Sequence, residues 1–309
     1  MNYIAYKLKF LNGVHLGTNS LVDSNFTFGA DTLFSALCHE ATKMGTEKLN
    51  LLVDKVRTNK LRISDALPYI GSTLYVPKPI RKSVRKGTID SVERKAMNKL
   101  SYVPVDKMED YFAANLDVVV EQEKLSKLGG SHVRAMVGIG NNYKSEPYHV
   151  GIYDFQDNNG LYILLAYEED EDKCLFEELI TALSYVGIGG KRSVGLGRFY
   201  IEKQDIDATF RSRLVGNACG AKYMTLSVEL PTDEELDKTM LTAEFSLVKK
   251  SGFIANGNRE SQEEKKKDLY VFAAGACFST KFDGDIYQVG SDSFPVYRYA
   301  KPLFMEVSE

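Results

Sequence analysis

The chain has 309 residues, 44% hydrophobic and 26% charged, the balance of an ordinary globular protein with a core to fill. No stretch approaches the roughly 18 apolar residues of a membrane span, and the start, Met1 to Gly13, alternates like a strand instead of presenting a basic stretch before an apolar one. A formal net charge of −3 argues against bulk electrostatic capture of nucleic acid, so any such role must rest on local charge. The four cysteines (Cys38, Cys174, Cys219, Cys277) are far apart, with no Cys-x-x-Cys and no histidine at ligand spacing. Neither a zinc site nor a disulfide framework is expected, no cofactor is implied, and a reduced cytoplasmic compartment fits.

In chain order, residues 3–11 put Ile4, Tyr6, Leu8 and Phe10 on one face and Lys7 and Lys9 on the other, which predicts a half-buried strand. Asp31 stands where an N-cap would precede a helix carrying Leu33, Leu37, Ala41 and Met44 at helical spacing. Residues 78–99 then change character: Lys78, Arg81, Lys82, Arg85, Lys86, Arg94, Lys95 and Lys99 face only Asp90 and Glu93, with little apolar content. Such a segment buries itself poorly and reads as a projecting element ordered by a partner, or simply as a solvated face. Residues 116–125 and 132–140 read as strands joined through Gly129 and Gly130, and 149–155 with 161–168 as a hairpin across 156–160. A helix over 173–186, with Leu175, Leu179 and Leu183 on one stripe, is followed by a strand from about Leu196.

Strand, helix, hairpin, helix, strand is the order of a ferredoxin-like βαββαβ unit with the basic segment inserted. A second unit starts near Lys222, where Thr232 can cap a helix with Glu235 at the capping-box position. The expectation is an α+β protein of two tandem ferredoxin-like domains, 1–205 with an insertion at about 75–145, and 206–309.

Between the helix and the strand lies GIGGKRSVGLGRF, Gly187 to Phe199. Five of its first eleven residues are glycine (Gly187, Gly189, Gly190, Gly195, Gly197), interleaved with Lys191, Arg192, Ser193 and Arg198. Glycine admits positive φ and close approach to the backbone, and N–H groups in such turns make anion-binding concavities to which basic side chains add. A simple helix C-cap needs Gly187 alone. A nucleotide-binding Walker loop needs Gly-x-x-x-x-Gly-Lys-Ser/Thr opening a helix. Here Arg192 follows Gly190-Lys191, Tyr185 holds the first glycine's place, and the loop follows a helix. The third reading is a loop that grips an RNA backbone, and the resemblance that follows favours it.

That helix–loop–strand closely resembles the G-loop of the RAMP superfamily of CRISPR-associated RNA-binding proteins. FLNGVHLG and FGADTLFSALCHE resemble the superfamily's first strand and helix, while KKSGFIANG, FAAGACF and PVYRYAKPLF resemble the fourth-subunit family of the Csm complex. The resemblance implies a non-catalytic subunit of a type III-A interference complex. It would bind the 5′ handle of the guide crRNA, cap the filament end, and contact the large polymerase-type subunit and a backbone RAMP subunit. It also implies that the insertion is a β-hairpin thumb. The family pattern carries His and Gly where this chain has Phe294 and Ala300, which leaves Tyr297 and Arg298 as the RNA contacts expected there.

Further candidates for RNA contact are Lys78, Arg81, Lys82 and Arg85 of the basic run, and His132 and Arg134 of the strand after it. Tyr102 either stacks on bases or packs in the core. His15 has three readings: an RNA contact, packing at a strand end, or the base of a RAMP endoribonuclease processing repeat RNA, which is the alternative function. Asp23 reads as a loop residue. No residue is assigned a catalytic role.

Overall fold

Leu161–Ala166 has no polar position, so a strand built from it must be covered on both faces. The computed structural model describes residues 1–17, 20–81, 91–139, 145–216, 218, 220–254, 265–290 and 296–307, and it puts this run at the centre of the main sheet. The first elements are β1 (Asn2–Phe10), β2 (Leu16–Gly17), β3 (Ser24–Asn25), α1 (Ala30–Met44), α2 (Thr46–Arg57), β4 (Leu61–Ile63), β5 (Leu67–Ile70) and β6 (Thr73–Pro77). Then come α3 (Ser91–Lys99), β7 (Tyr102–Pro104), α4 (Met108–Phe112), α5 (Val118–Ser126), β8 (Gly129–Ile139), β9 (Ser145–Phe155), β10 (Asn159–Tyr167), α6 (Asp170–Val186) and β11 (Phe199–Gln204). The last part holds α7 (Ala208–Val215), β12 (Lys222–Thr225), α8 (Asp233–Met240), β13 (Leu247–Lys250), β14 (Leu269–Phe272), β15 (Cys277–Phe278), β16 (Asp285–Gln288), β17 (Tyr297–Ala300) and β18 (Phe304–Val307).

The main sheet runs β11–β1–β10–β5–β6–β7, antiparallel throughout, with β4 also on β10. Period-two alternation splits β10 between two cores. Leu161, Ile163 and Leu165 join Tyr6 and Leu8 beneath α1, α2 and α6. Tyr162, Leu164 and Ala166 join Ala5 on the opposite side, against Val76, Val103 and Phe210. Residues after 206 complete both: Val271, Ile286 and Tyr299 in the first, Met224, Met305 and Val307 in the second. The Tyr299 hydroxyl accepts from the Ile63 N–H at 3.0 Å, fixing β17 to β4.

Several expectations change. β1 is buried on both faces over Ala5–Leu8, and Lys7 is among the buried residues. Its ammonium donates to the Gly71 carbonyl at 3.1 Å and sits 4.5 Å from the Tyr69 ring centroid; burial lowers its pKa. The expected strand at 116–125 is the helix α5. The Asp117 carboxylate accepts from the Val119 and Val120 N–H groups, and Val118, Glu121 and Leu125 fall on one buried face. The cap and helical spacing outweigh the β preference of three valines. The expected hairpin of 149–155 with 161–168 is also revised. A tight turn joins β9 to β10, but β9 pairs with β8 over eleven residues and β10 with β1.

The β8–β9 arm, with β8 exposed over 130–135, is therefore the projecting two-stranded element. The described part of the basic run instead contains α3, whose Ala96 is buried while Arg94, Lys95 and Lys99 stay in solvent. Beyond residue 206 the ladders are short: β15–β12–β18, β13–β14 and β16–β17. α8 begins at Asp233 with the reciprocal Thr232–Glu235 capping box, and α6 begins at Asp170, earlier than the spacing predicts, because Glu169 and Asp172 form another.

Glu229, fully buried, accepts from the Thr225 hydroxyl at 3.0 Å through Oε1, while Oε2 has no partner. Burial holds its carboxyl neutral well above the usual carboxylate range. Because the folded state keeps a proton that the unfolded chain releases, this group lowers stability as pH rises from its unfolded pKa toward its folded one, by up to about 1.4 kcal/mol per pH unit. Glu229→Gln should remove that dependence. Thermal unfolding from pH 5 to 8 should show the variant gaining on the parent as pH rises; a constant difference contradicts the assignment.

Candidate nucleic-acid interface

The Gly187 N–H closes α6 on the Leu183 carbonyl at 2.7 Å, and the chain then folds back over the segment leaving β1. Gly190 N–H donates to His15 O at 2.8 Å, Gly197 N–H to Gly13 O at 3.1 Å, and Ile188 N–H to Gly197 O at 3.0 Å. A short 3-10 turn, Arg192–Val194, makes the tip. This stitching explains the glycines. Gly197 sits at φ +75°, and a Cβ there would lie 1.9 Å from the Ile188 carbonyl oxygen. The N–H groups of residues 188, 190, 194, 195 and 197 all donate to protein carbonyls, so these five do not form the anion concavity expected from the glycine count. The side chains carry the charge outward instead. Arg192, Ser193 and Arg198 are exposed, and the half-buried Lys191 lies over Tyr148, its Nζ 3.2 Å from the hydroxyl and 4.3 Å from the ring centroid.

His15 belongs to the interior. It is buried, with Nδ1 2.7 Å from the Gly151 carbonyl of β9 and its own carbonyl holding Gly190. Leu196 packs against Val150 and Ile152, so loop, β1 exit and β8–β9 arm form one unit. Of the three readings of His15, the structure supports packing.

Beside the loop runs a groove made of two adjoining cavities of about 470 and 450 Å³ that share Gly17, Thr32, Gly189 and Lys250. One end reaches Lys78 and Tyr102; the other holds Arg192, His39, Lys249, Lys266, Tyr297 and Arg298. Its floor is ionic. Asp31, buried in the first turn of α1, binds Lys250 Nζ at 2.8 Å through Oδ1 and an Arg298 guanidinium nitrogen at 3.1 Å through Oδ2. Asp31 is thus not the N-cap expected; Gly29 holds that position. The adjacent Asp65 supplies the missing acceptor: its Oδ1 takes the Ala30 N–H at 2.7 Å and the Val228 N–H at 3.0 Å. Burial pushes the Asp65 carboxyl up to about 6 against the opposing pull of Lys250.

The expected site residues separate on this frame. Gly189, Arg192, Lys78 and Arg298 line the groove, although Arg298 is buried and committed to Asp31 and to the Ser251 carbonyl, and Lys78 Nζ donates to Met97 O at 2.7 Å. Arg81 lies away from it, 5.2 Å from the Phe112 ring centroid. His132 pairs with Asp154 at 2.9 Å on the arm, and neither it nor the exposed Arg134 lines the groove. Lys82, Arg85 and Phe294 fall outside the described residues. Tyr102 lines the groove but is half-buried against Phe26. Asp23 is an exposed loop residue, as expected. Sequence reading missed His39, Lys249, Lys250 and Lys266. The only local signals were KK at 249–250 and KKK at 265–267, and neither shows which lysine turns inward.

Among the described residues no group of three or more His, Cys, Asp or Glu is placed to hold a metal ion, and no helix is long and apolar enough to cross a membrane. The glycine loop generates a contrast in cost. In Gly195→Ala the new Cβ meets only an ordinary contact with Asn12 Nδ2 at 3.7 Å, so the cost is that of its φ of +88°, about 1–2 kcal/mol. Gly197→Ala must also displace backbone and should cost more, about 3 kcal/mol or above. Denaturant unfolding of both variants checks this, and equal losses contradict the packing described.

Residues 7–200 match the RAMP superfamily, and residues 219–307 match the CRISPR Csm4 C-terminal domain. The CRISPR system Cms protein Csm4 of Mycobacterium tuberculosis (strain CDC 1551 / Oshkosh) is 34% identical over 311 residues, covering 100% of this chain and 99% of the relative. The Streptococcus thermophilus protein of the same name is 34% identical over 316 residues, covering 99% of each. In fold the chain is similar to one in the crystal structure of a Csm3–Csm4 subcomplex of the type III-A CRISPR-Cas interference complex, with TM-score 0.68, 19% identity and full coverage of both chains. A chain in a Csm1–Csm4 cassette complexed with AMPPNP superposes with TM-score 0.59, 20% identity and 99% coverage of each. The chain therefore belongs to the Csm4 family of the RAMP superfamily.

Proposed function

We propose that this protein is a subunit of a type III-A Csm interference complex that holds the 5′ handle of the guide crRNA in the groove beside the glycine loop. In this reading it caps the filament end, meets the large polymerase-type subunit and a backbone RAMP subunit, works in the cytoplasm and has no reaction of its own. The observation that carries it is the groove. A chain of net charge −3 gathers Arg192, Lys249, Lys250, Lys266 and Arg298 along one cleft, with Tyr102 and Tyr297 at its margins. Cations tracking a backbone beside aromatic faces suit a single strand. The solved relatives in fold come from assemblies of Csm4 with Csm3 and with Csm1, which supports the choice of partners. We read β11, β1, β10 and β5 as a ferredoxin-like unit and the β8–β9 arm as its thumb.

The endoribonuclease alternative drew on His15 as a general base. A ring that is buried and fixed to the Gly151 carbonyl is badly placed to reach a phosphodiester in the groove, which disfavours that use.

Replacing Lys191 and Arg192 together with Glu removes two cations and adds two like charges to an exposed tip. Guide retention by the co-expressed complex should fall at least tenfold near physiological salt, and the deficit should shrink as salt rises. Unchanged retention at every salt concentration would leave a scaffold that contacts only protein.

A further inference from the structure

The groove's cations are not equivalent. Lys250 and Arg298 share Asp31, and Lys249 pairs with Asp268 at 2.9 Å. Among the described residues, Lys266 and Arg192 have no carboxylate partner, and both line the 450 Å³ cavity together with His39 from α1. Lys266 is half-buried, beside Arg298. His39 is crowded by Lys266, Arg192 and Lys43, with Glu40 acting against them. Three basic groups from three separate chain segments thus converge on one cavity whose acidic lining residue, Asp31, is already bound by Lys250 and Arg298, and an arriving anion would relieve the repulsion left among them.

Resting on the guide-binding reading above, we propose that Lys266, Arg192 and His39 form a seat for one particular phosphodiester of the bound strand, distinct from the general charge of the groove. Two features fit a built seat. Burial and neighbouring cations lower the pKa of the half-buried Lys266 and of His39, whose side chain is exposed at the cavity, so a phosphate would favour the charged form of both. The lining side of the cavity is also fixed, since Ser251 and Arg298 are tied together and Arg298 to Asp31. Binding should then draw a proton onto His39, and affinity should rise as pH falls through the bound-state pKa of the imidazole.

The test uses the full chain and a labelled single-stranded RNA of roughly ten nucleotides carrying the guide's 5′ sequence, with an uncharged methylphosphonate placed at each linkage in turn. The parent should lose about tenfold in affinity at one linkage and much less elsewhere. Lys266→Gln should abolish that single loss and reduce the slope of log affinity against log salt by about 0.7. The free Lys266→Gln protein should melt no lower than the parent, since a strained charge has been removed. His39→Gln should flatten the rise in affinity between pH 7 and pH 5.5. A methylphosphonate profile that is the same in parent and Lys266→Gln overturns the seat while leaving RNA binding intact. Failure of the parent to bind the RNA at all overturns the guide-binding reading beneath it.

Discussion

The groove depends on one buried carboxylate. Asp31 leaves the first turn of α1 to meet Lys250 and Arg298, which come from β13 and β17, far away in the chain. Charges out of water are tolerated only when paired and hydrogen-bonded, so this contact fixes where the last third of the protein sits against the first helix. Asp65 reinforces the join by accepting from Ala30 at the helix start and from Val228 across the interface. Asp31 thus holds Lys250 and Arg298 at the floor, beside Asp65, and the cleft above them is lined by Arg192, Lys249 and Lys266. The constraint that joins the chain's two ends therefore also sets the electrostatics of the cleft between them.

Several elements could be read from local pattern. The uniform apolar run of β10 required a strand covered on both faces, α6 carried its leucine stripe, and Thr232 with Glu235 located α8. Misreadings arose where one local signal competed with another. Val118–Val120 favours a strand until the Asp117 cap is weighed, and the turn at 156–159 suggests a hairpin although each strand finds its ladder elsewhere. Lys7 appeared to face water because nothing nearby in sequence announces Tyr69 and Gly71.

The site was legible only in part. The glycine segment stands out in any reading, yet its glycines are explained by backbone crossings with His15 and Ile188, and only its basic side chains speak to a polyanion. The opposite wall was invisible because Lys250 gains meaning through Asp31, and Lys266 through the cavity it shares with Arg192 and His39. Arg298 was found by resemblance, but its role in the fold, as the second partner of Asp31, belongs to a pairing that spans most of the chain.

The central claim is that the cleft between the glycine loop and the lysines of the C-terminal segment receives the 5′ end of a guide strand. Photo-crosslinking within the assembled complex, using guides that carry one reactive nucleotide at successive positions, measures this directly. The account predicts crosslinks from the first guide nucleotides to peptides containing residues 187–198 and 247–251. Crosslinks confined to the guide's 3′ end, or to surfaces away from the cleft, would contradict it.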